Sequence, residues 1–338
     1  MVWTVPQRAS GNRAHAQPLP ETGWTSNTGN PPLTLKKRSR NNPCNRLHAM
    51  VNPGAIARFV RASLADNTRR AYAADLRHFL DWGGRLPASP KLIASYLAEH
   101  AETLCTATLN RRRAALAKAH DFAPGDNPAR SALVNATMRG IKRELGRPQR
   151  QAKPLIGGQL DEVLASISKD LPGLRDRALI LVGFAGALRR SELVDLDLQD
   201  LKVTPDELIL MVRRSKTDPY GHGHSIMLPR HKRAKLCPVR ALAAWMRAID
   251  ADTGAIFRPI DRHGNVKAER LSAEAVSVIV KQRAQAAGLD PRQYSGHSLR
   301  AGYVTSQAQA GVPEWRIRRQ TRHASNAMLA RYIRDGAP

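Results

Sequence analysis

Residues 296–334, GHSLRAGYVTSQAQAGVPEWRIRRQTRHASNAMLARYIR, carry four polar side chains at informative spacings. His297 and Arg300 are three residues apart, so a helix places both of them on one face. His323 lies 23 residues beyond Arg300, and Tyr332 follows nine residues later. Two cation-capable donors, a second histidine and a phenol are the groups needed to hold a phosphodiester and to attack it.

A phosphodiester gains negative charge in the transition state of its displacement, so a site needs fixed donors on the nonbridging oxygens. Arginine suits this role because its planar fork binds phosphate oxygens bidentately and stays protonated. Arg300 is one candidate, and Arg189, which follows an apolar helical segment, is the other. Glu192, three residues after Arg189, shares a helical face with it and is predicted to support it.

The reaction also needs two proton transfers. A free tyrosine has a pKa near 10, so only about 0.1% of it is ionised at pH 7, and the nucleophile needs a proton acceptor and a positive field. His297 and His323 are predicted to supply both. The departing 5′ alkoxide needs a proton donor. The candidate is Lys216, at the tip of a predicted hairpin whose two strands are joined by residues 215–224.

These segments together resemble the tyrosine recombinase (phage integrase) family, the group that contains the Cre and Xer recombinases. ALRRSEL resembles the family's first-arginine box, HSLRAGYVT its His-x-x-Arg box and TRHASNAMLARYIR the box that ends in the nucleophile. RRSKTDPYGHGHSIMLP resembles the β-hairpin that carries the catalytic lysine. The resemblance covers about 55–338, and the catalytic set that it implies follows the family order: Arg189, Lys216, His297, Arg300, His323 and Tyr332.

The resemblance implies a mainly α fold with two domains. The N-terminal one is a SAM-like helical core-binding domain, and the second is a mixed α/β, mostly helical catalytic domain with a small antiparallel sheet. Tyr332 attacks the scissile phosphate to give a 3′-phosphotyrosyl intermediate and a free 5′-hydroxyl. Bond energy is conserved, so neither a metal, a cofactor nor ATP is needed. The partner is double-stranded DNA at specific recombination sites, on which four protomers assemble as a homotetramer in a synapse.

Composition divides the chain into four segments. Residues 1–50 lack apolar periodicity and are predicted to be a disordered basic extension. Residues 51–147 show helical periodicity and are predicted to form the core-binding domain. The proline-containing segment 148–154 is predicted to be a basic linker, and 155–338 the catalytic domain. Met50 stands where periodicity begins, so it is a second candidate for the start of translation.

Local patterns predict several elements within these domains. Asn67 is predicted to cap a helix, and Ser89 with Pro90 to begin another. Strands are predicted over 207–214 and 225–229, and helices near 158–168, 174–186, 238–250, 272–287, 298–310, 313–320 and 325–333.

Charge points to a polyanionic partner. The formal net charge is +26 and the pI is near 11.1. Residues 1–50 carry seven basic and one acidic side chain, 51–153 carry 18 and eight, and 154–338 carry 29 and 19, so a basic tail does not explain the excess. We predict DNA contacts at Arg69, Arg70, Arg111, Arg112, Arg113, Arg147, Arg150, Lys153, Arg214 and Arg322.

Two positions depart from the family pattern. Arg322 precedes the second histidine where the family usually has glycine, and it either adds a DNA contact or is simply exposed. Ala187 replaces a common glycine before Leu188. Six residues follow Tyr332, so we expect protomers to couple through a surface other than a long C-terminal segment.

Other functions have weaker support. Three cysteines lack metal-site spacing and fit a reducing cytoplasm. No apolar run reaches the ~20 residues that span a bilayer, and no secretory signal opens the chain, so we expect a cytoplasmic, nucleoid-associated protein without a membrane partner. His222 with His224, and the aspartates near residue 197, are weak metal candidates, and Tyr303 is a competing nucleophile. A type IB topoisomerase and a non-catalytic DNA-binding protein are the alternative functions.

Overall fold

The computed structural model describes residues 53–146, 151–204, 206–215, 218, 220–323 and 329. These residues belong to two compact units, which divide the chain between residues 150 and 151. We call them the N-terminal unit and the C-terminal unit. The predicted extension 1–50, Met50 included, lies outside the described residues. So do residues 147–150, and the predicted domain boundaries therefore stay predictions.

The N-terminal unit is helical and the C-terminal unit combines helices with one small sheet. The helices are α1 (Pro53–Ala62), α2 (Asp66–Asp81), α3 (Pro90–Glu99), α4 (Thr106–Ala119), α5 (Ala132–Leu145), α6 (Gly157–Ala165), α7 (Leu171–Ala185), α8 (Arg190–Val194), α9 (Pro238–Ile249), α10 (Ala273–Ala286), α11 (His297–Gln309) and α12 (Glu314–Thr321). The strands are β1 (Leu201–Val203), β2 (Glu207–Val212) and β3 (His224–Pro229).

Side-chain caps fix where helices of the N-terminal unit begin. The Ser89 hydroxyl accepts from Leu92 N at the start of α3, with proline in the first turn, as the sequence predicts. Asn67 differs from its prediction, because α2 begins at Asp66, two residues earlier than predicted, and Ala65 occupies the N-cap position. The Asn67 side-chain oxygen accepts instead from Arg70 Nη2 at 2.5 Å. The core of the unit contains Phe79, Ile93, Tyr96, Leu97, Leu109 and Val134.

Helix α7 is the centre of the C-terminal unit. Every residue from Ala178 to Ala185 is buried, since helices α8, α9, α10 and α11 pack around it. The sheet has the order β1–β2–β3 and is antiparallel throughout. In β2 and β3 the pairs Leu208–Leu228 and Leu210–Ile226 place their buried side chains on one face. The small antiparallel sheet of the prediction is confirmed, with β1 as a third strand that the sequence pattern did not separate.

The segment before α6 lies directly on α11. Leu155 N donates to Ser298 O at 3.1 Å, and Lys153 N donates to Gln293 O at 2.8 Å. A Cβ atom on Gly302 of α11 would stand 2.2 Å from Leu155 O. The absence of a side chain at residue 302 therefore permits the contact that fixes the start of the C-terminal unit against α11.

No helix among the described residues is both long enough and apolar enough to cross a membrane. The predicted helix over 325–333 lies outside the described residues, except that Leu329 is helical.

We expect Gly302→Ala to destabilise the C-terminal unit by about 1–3 kcal/mol, because the added methyl group meets backbone rather than a movable side chain. Urea unfolding measures this loss. Gly158→Ala in α6 is the matched control, since a Cβ there meets nothing within 4 Å, and its stability should equal or slightly exceed that of the wild type. Equal stability of the two variants would contradict the close contact.

Candidate active site

Three junctions of the C-terminal unit bring the predicted catalytic side chains together. They are the turn between α7 and α8, the first turn of α11, and the end of α12. Arg189 is the N-cap residue of α8, His297 and Arg300 lie in the first turn of α11, and His323 follows α12. Gln320 connects the end of α12 to the end of α7, because its side-chain amide donates to Ala185 O at 3.1 Å.

Arg300 is anchored inside the unit. It is 1% exposed, and its Nη1 donates to Ala187 O at 2.8 Å. Ala187 has φ 45°, in the left-handed region that favours glycine. The turn thus aims a backbone carbonyl at the guanidinium, which fixes the orientation of Arg300 relative to the start of α8.

Arg189 and Glu192 form a capping arrangement at the start of α8. Arg189 N donates to Glu192 Oε2 at 2.9 Å, and Arg189 Nη1 donates to Glu192 Oε1 at 2.5 Å. The Arg189 side chain keeps 18% of its surface exposed, whereas Glu192 is buried. The Glu192 carboxylate therefore restrains the Arg189 guanidinium, while part of the Arg189 side chain still faces solvent.

The structure buries Arg322, for which the sequence predicts either a DNA contact or an exposed side chain. It is 9% exposed, so it is not a surface side chain, and its Nη2 donates to Glu192 Oε2 at 2.7 Å. Burial tends to raise the pKa of the Glu192 carboxyl, but Arg322 and Arg189 outweigh burial and hold that pKa below its usual value. The side chain is turned inward to a carboxylate, and a DNA contact of Arg322 stays a prediction.

His297 begins α11 and has an exposed surface. Partial withdrawal from water lowers the pKa of its imidazole, and the cations Arg300, Arg189 and Arg190 lower it further. The ring is therefore neutral at physiological pH and can accept a proton.

His323 is buried at the end of α12. Its Nδ1 lies 2.8 Å from the Thr321 hydroxyl, which fixes the rotation of the ring. Burial lowers the pKa of His323 to about 3, with Arg300 and Arg189 as further causes. The second histidine is thus also neutral before any anion binds.

Lys216 and Tyr332 lie outside the described residues. Asp218 and Leu329 are described residues near them in the sequence. Asp218 accepts bonds from the backbone N–H groups of Gly221, His222 and Gly223 at 2.8–3.1 Å. Leu329, three residues before Tyr332, is fully buried and packs with Val304 and Ile317.

The predicted DNA-contacting arginines of the N-terminal unit fall into different environments. Arg112 does not suit the prediction, since it is 8% exposed and donates to Tyr96 Oη at 3.0 Å within the helical core. Arg111 binds both oxygens of Asp75 while half of its side chain stays exposed. Neighbouring side chains also hold three further arginines: Arg69 by Asp66, Arg70 by Asn67 and Arg113 by Asn135.

The remaining predicted contacts lie elsewhere. Lys153 and Arg214 are exposed, whereas Arg147 and Arg150 lie outside the described residues. Arg214 lines a groove of about 420 Å³ that Glu192 also borders. DNA contact at the exposed residues stays a prediction.

Two of the aspartates considered as a metal site, Asp197 and Asp200, pair with arginines. Asp197 binds Arg213 at 2.5 Å and Arg270 at 2.6 Å, and Asp200 lies 3.0 Å from Arg213. Asp197 is also the N-cap residue of a 3-10 turn over Leu198–Asp200, which leads into β1. Within the described residues, no group of three or more His, Cys, Asp or Glu side chains is placed to hold a metal ion.

The competing nucleophile Tyr303 is a packing residue. It is 6% exposed and lies edge-on to Phe184, with ring centroids 6.1 Å apart. Burial raises its pKa, which makes ionisation of the phenol harder.

Sequence patterns missed three residues that shape the site: Thr321, Gln320 and the carbonyl of Ala187. Their contacts join positions far apart in sequence, except for Thr321, which lies two residues before His323. That short spacing was the only available signal, and a threonine at this distance has no recognisable pattern.

Sequence comparison identifies the family. Residues 155–337 match the model of the phage integrase family, and residues 59–124 match that of the phage integrase N-terminal SAM-like domain. The chain therefore belongs to the phage integrase family. It is 42% identical over 289 residues to an integrase/recombinase xerD homolog of Selenomonas ruminantium, an alignment that covers 82% of this chain and 84% of the relative. The predicted enzyme class, a tyrosine-type site-specific DNA recombinase, is confirmed.

Solved structures confirm the fold. The chain resembles XerH recombinase in a post-cleavage complex with palindromic difH substrate, with a TM-score of 0.60 and 19% identity over 79% of this chain and 76% of the other. It also resembles a lambda integrase tetramer bound to a Holliday junction, with a TM-score of 0.57 and 17% identity over 86% and 83%.

The depressed pKa of His323 predicts a loss of stability in acid. The unfolded chain takes up a proton near pH 6.5, whereas the folded ring resists it until about pH 3, so stability is lost as the pH falls within this window. Between pH 7 and 5, wild type should lose about 2 kcal/mol more unfolding free energy than His323→Asn. Urea unfolding at both pH values measures this, with the exposed His263→Asn as control. An equal loss in wild type and His323→Asn would contradict a buried neutral ring.

Proposed function

We propose that this recombinase cleaves and rejoins DNA through a 3′-phosphotyrosyl intermediate formed on Tyr332. The observation that carries the proposal is the meeting of Arg189 and Arg300 with His297 and His323 at junctions of the C-terminal unit. Segments more than a hundred residues apart supply these groups, and Arg300 bonds across that separation to Ala187 O. Such a cluster suits a reaction on one bound anion, because the cations can hold the anion and the neutral imidazoles can accept a proton.

The two arginines take the nonbridging oxygens of the scissile phosphate. Both stay protonated, and their planar forks match the geometry of phosphate oxygens. They supply the positive charge that stabilises the transition state, so the proposed mechanism assigns no step to a metal or to ATP.

The histidines accept the proton of the nucleophile. The Tyr332 oxygen forms a bond to phosphorus as the bond from phosphorus to the 5′ oxygen breaks. A neutral imidazole takes the phenolic proton. The incoming phosphate is an anion, and it raises the pKa of His297 and His323 toward the range in which they exchange protons. Lys216 protonates the departing 5′ oxygen, and the reverse sequence joins a partner strand.

Chain connectivity supports the role of Tyr332. Leu329 is buried against Val304 of α11, the helix that also carries Arg300. Three residues span at most ~10 Å, so the tyrosine remains within a short reach of that anchor.

The domain roles and assembly belong to the same proposal. The N-terminal unit acts as the core-binding domain, with exposed basic side chains such as Arg70 on the DNA backbone, and 148–154 acts as the linker. A homotetramer on paired recombination sites is supported by the likeness to the lambda integrase tetramer on a Holliday junction. The proposed place of action is the nucleoid.

Covalent trapping tests the proposal. A pool of nicked duplexes with a randomised central stretch is incubated with the full chain, denatured, and probed for protein–DNA adduct. Wild type should form the adduct because the short cleaved strand diffuses away before rejoining, and Tyr332→Phe should form none. Tyr303→Phe is the matched control and should keep the adduct, since that phenol is buried.

Two outcomes would count against the proposal. An adduct with Tyr332→Phe would show that Tyr332 is not the nucleophile. The absence of an adduct with wild type would contradict the phosphotyrosyl mechanism. Relaxation of supercoiled plasmid without joining of two duplexes would favour the topoisomerase alternative.

A further inference from the structure

The end of α12 holds a cation at two physical costs. Arg322 has φ 57° and ψ 40°, a left-handed conformation that side chains other than glycine disfavour. Its charged side chain is also removed from water, which lowers the pKa of its guanidinium. An arginine retained under both conditions needs compensating contacts, and these identify what it does.

The compensating contacts lead to Arg189. Arg322 Nη2 donates to Glu192 Oε2 at 2.7 Å, and Arg322 Nη1 donates to Gln320 O at 2.9 Å. The other oxygen of Glu192 accepts from Arg189 Nη1 at 2.5 Å. The side chains of Arg322 and Glu192 are 5% and 1% exposed, so solvent screens this pair weakly.

Charge balance gives the second argument. A single carboxylate paired with Arg189 would cancel the charge that an incoming phosphate needs. Two guanidinium groups share Glu192, so the cluster retains one net positive charge, and the most exposed member is Arg189 with 18% of its side chain open to solvent. Arg322 thus balances the negative charge of Glu192, and it does so without occupying the position of the incoming phosphate.

We propose that Arg322 is a positioning residue, which acts through Glu192 to hold Arg189 for the scissile phosphate and to keep the site positively charged. The proposal rests on the proposed function. It assigns a catalytic contribution to an arginine at a position where the sequence pattern of the family suggests glycine. The other possibility for this residue, direct contact with a DNA phosphate, is an outcome of the test.

Single-turnover cleavage separates positioning from binding. The probe is the nicked duplex most enriched among the wild-type adducts, and the variants are Arg322→Met and Arg322→Gly. Glycine suits the backbone at residue 322, so it removes the guanidinium without strain. At saturating enzyme, both variants should cleave roughly ten- to a hundredfold more slowly, with affinity for the duplex within about twofold of wild type.

Arg319→Met on the exposed surface of α12 is the matched control, because it removes an equal charge. It should cleave at the wild-type rate. Wild-type cleavage by Arg322→Gly would overturn the proposal. So would weaker binding by the Arg322 variants at an unchanged saturated rate, with the slope of affinity against salt reduced by about one, because that pattern marks a lost phosphate contact.

The Glu192→Gln background tests the route of the effect. If Arg322 acts through Glu192, adding Arg322→Met there changes the cleavage rate less than about twofold. Losses that multiply would show that the two residues act independently and would overturn the proposal.

A measurement without DNA keeps the inference separate from the proposed function. Nuclear spin relaxation of the ¹⁵N-labelled guanidinium reports the mobility of Arg189 Nε–H. Mobility should increase in Arg322→Met and in Arg322→Gly but not in Arg319→Met. If wild type forms no adduct and this difference in mobility appears, the proposed phosphotyrosyl mechanism is contradicted, while the positioning of Arg189 by Arg322 is supported. Unchanged mobility of Arg189 in the Arg322 variants overturns the positioning, whatever the adduct assay gives.

Discussion

The carboxylate of Glu192 is the constraint on which the site depends. It is buried, it accepts from the backbone and side chain of Arg189, and it binds Arg322. One anion thus joins the start of α8 to the end of α12. Removal of a buried carboxylate from between two cations would leave their repulsion uncompensated, so the geometry of both junctions follows from this residue.

The same charge distribution sets the protonation of the site. Burial and the surrounding arginines lower the pKa values of His297 and His323. The site therefore combines cations with neutral bases, an arrangement that an anionic substrate completes. Two left-handed residues, Ala187 and Arg322, occupy the junctions, and the contacts of each involve a guanidinium, Arg300 in one case and Arg322's own in the other. Backbone strain and electrostatic organisation coincide at these positions.

Local signals in the sequence predicted the features that depend on neighbouring residues. The spacing of His297 and Arg300 placed both in the first turn of α11, and Ser89 with Pro90 marked the start of α3. Patterns failed where a partner lies far along the chain. Glu192 and Arg322 are 130 residues apart, so an arginine expected at the surface is buried. Arg112 is held likewise by Tyr96 of another helix.

A structure of Tyr332→Phe bound to the nicked duplex that wild type cleaves tests the central claim most directly. The measured quantity is the distance from the scissile phosphate oxygens to the guanidinium groups of Arg189 and Arg300. The account predicts that both lie within hydrogen-bond distance, about 2.7–3.0 Å, while Arg322 stays on Glu192. A scissile phosphate held elsewhere, or held by Arg322 with Arg189 turned away, would contradict it.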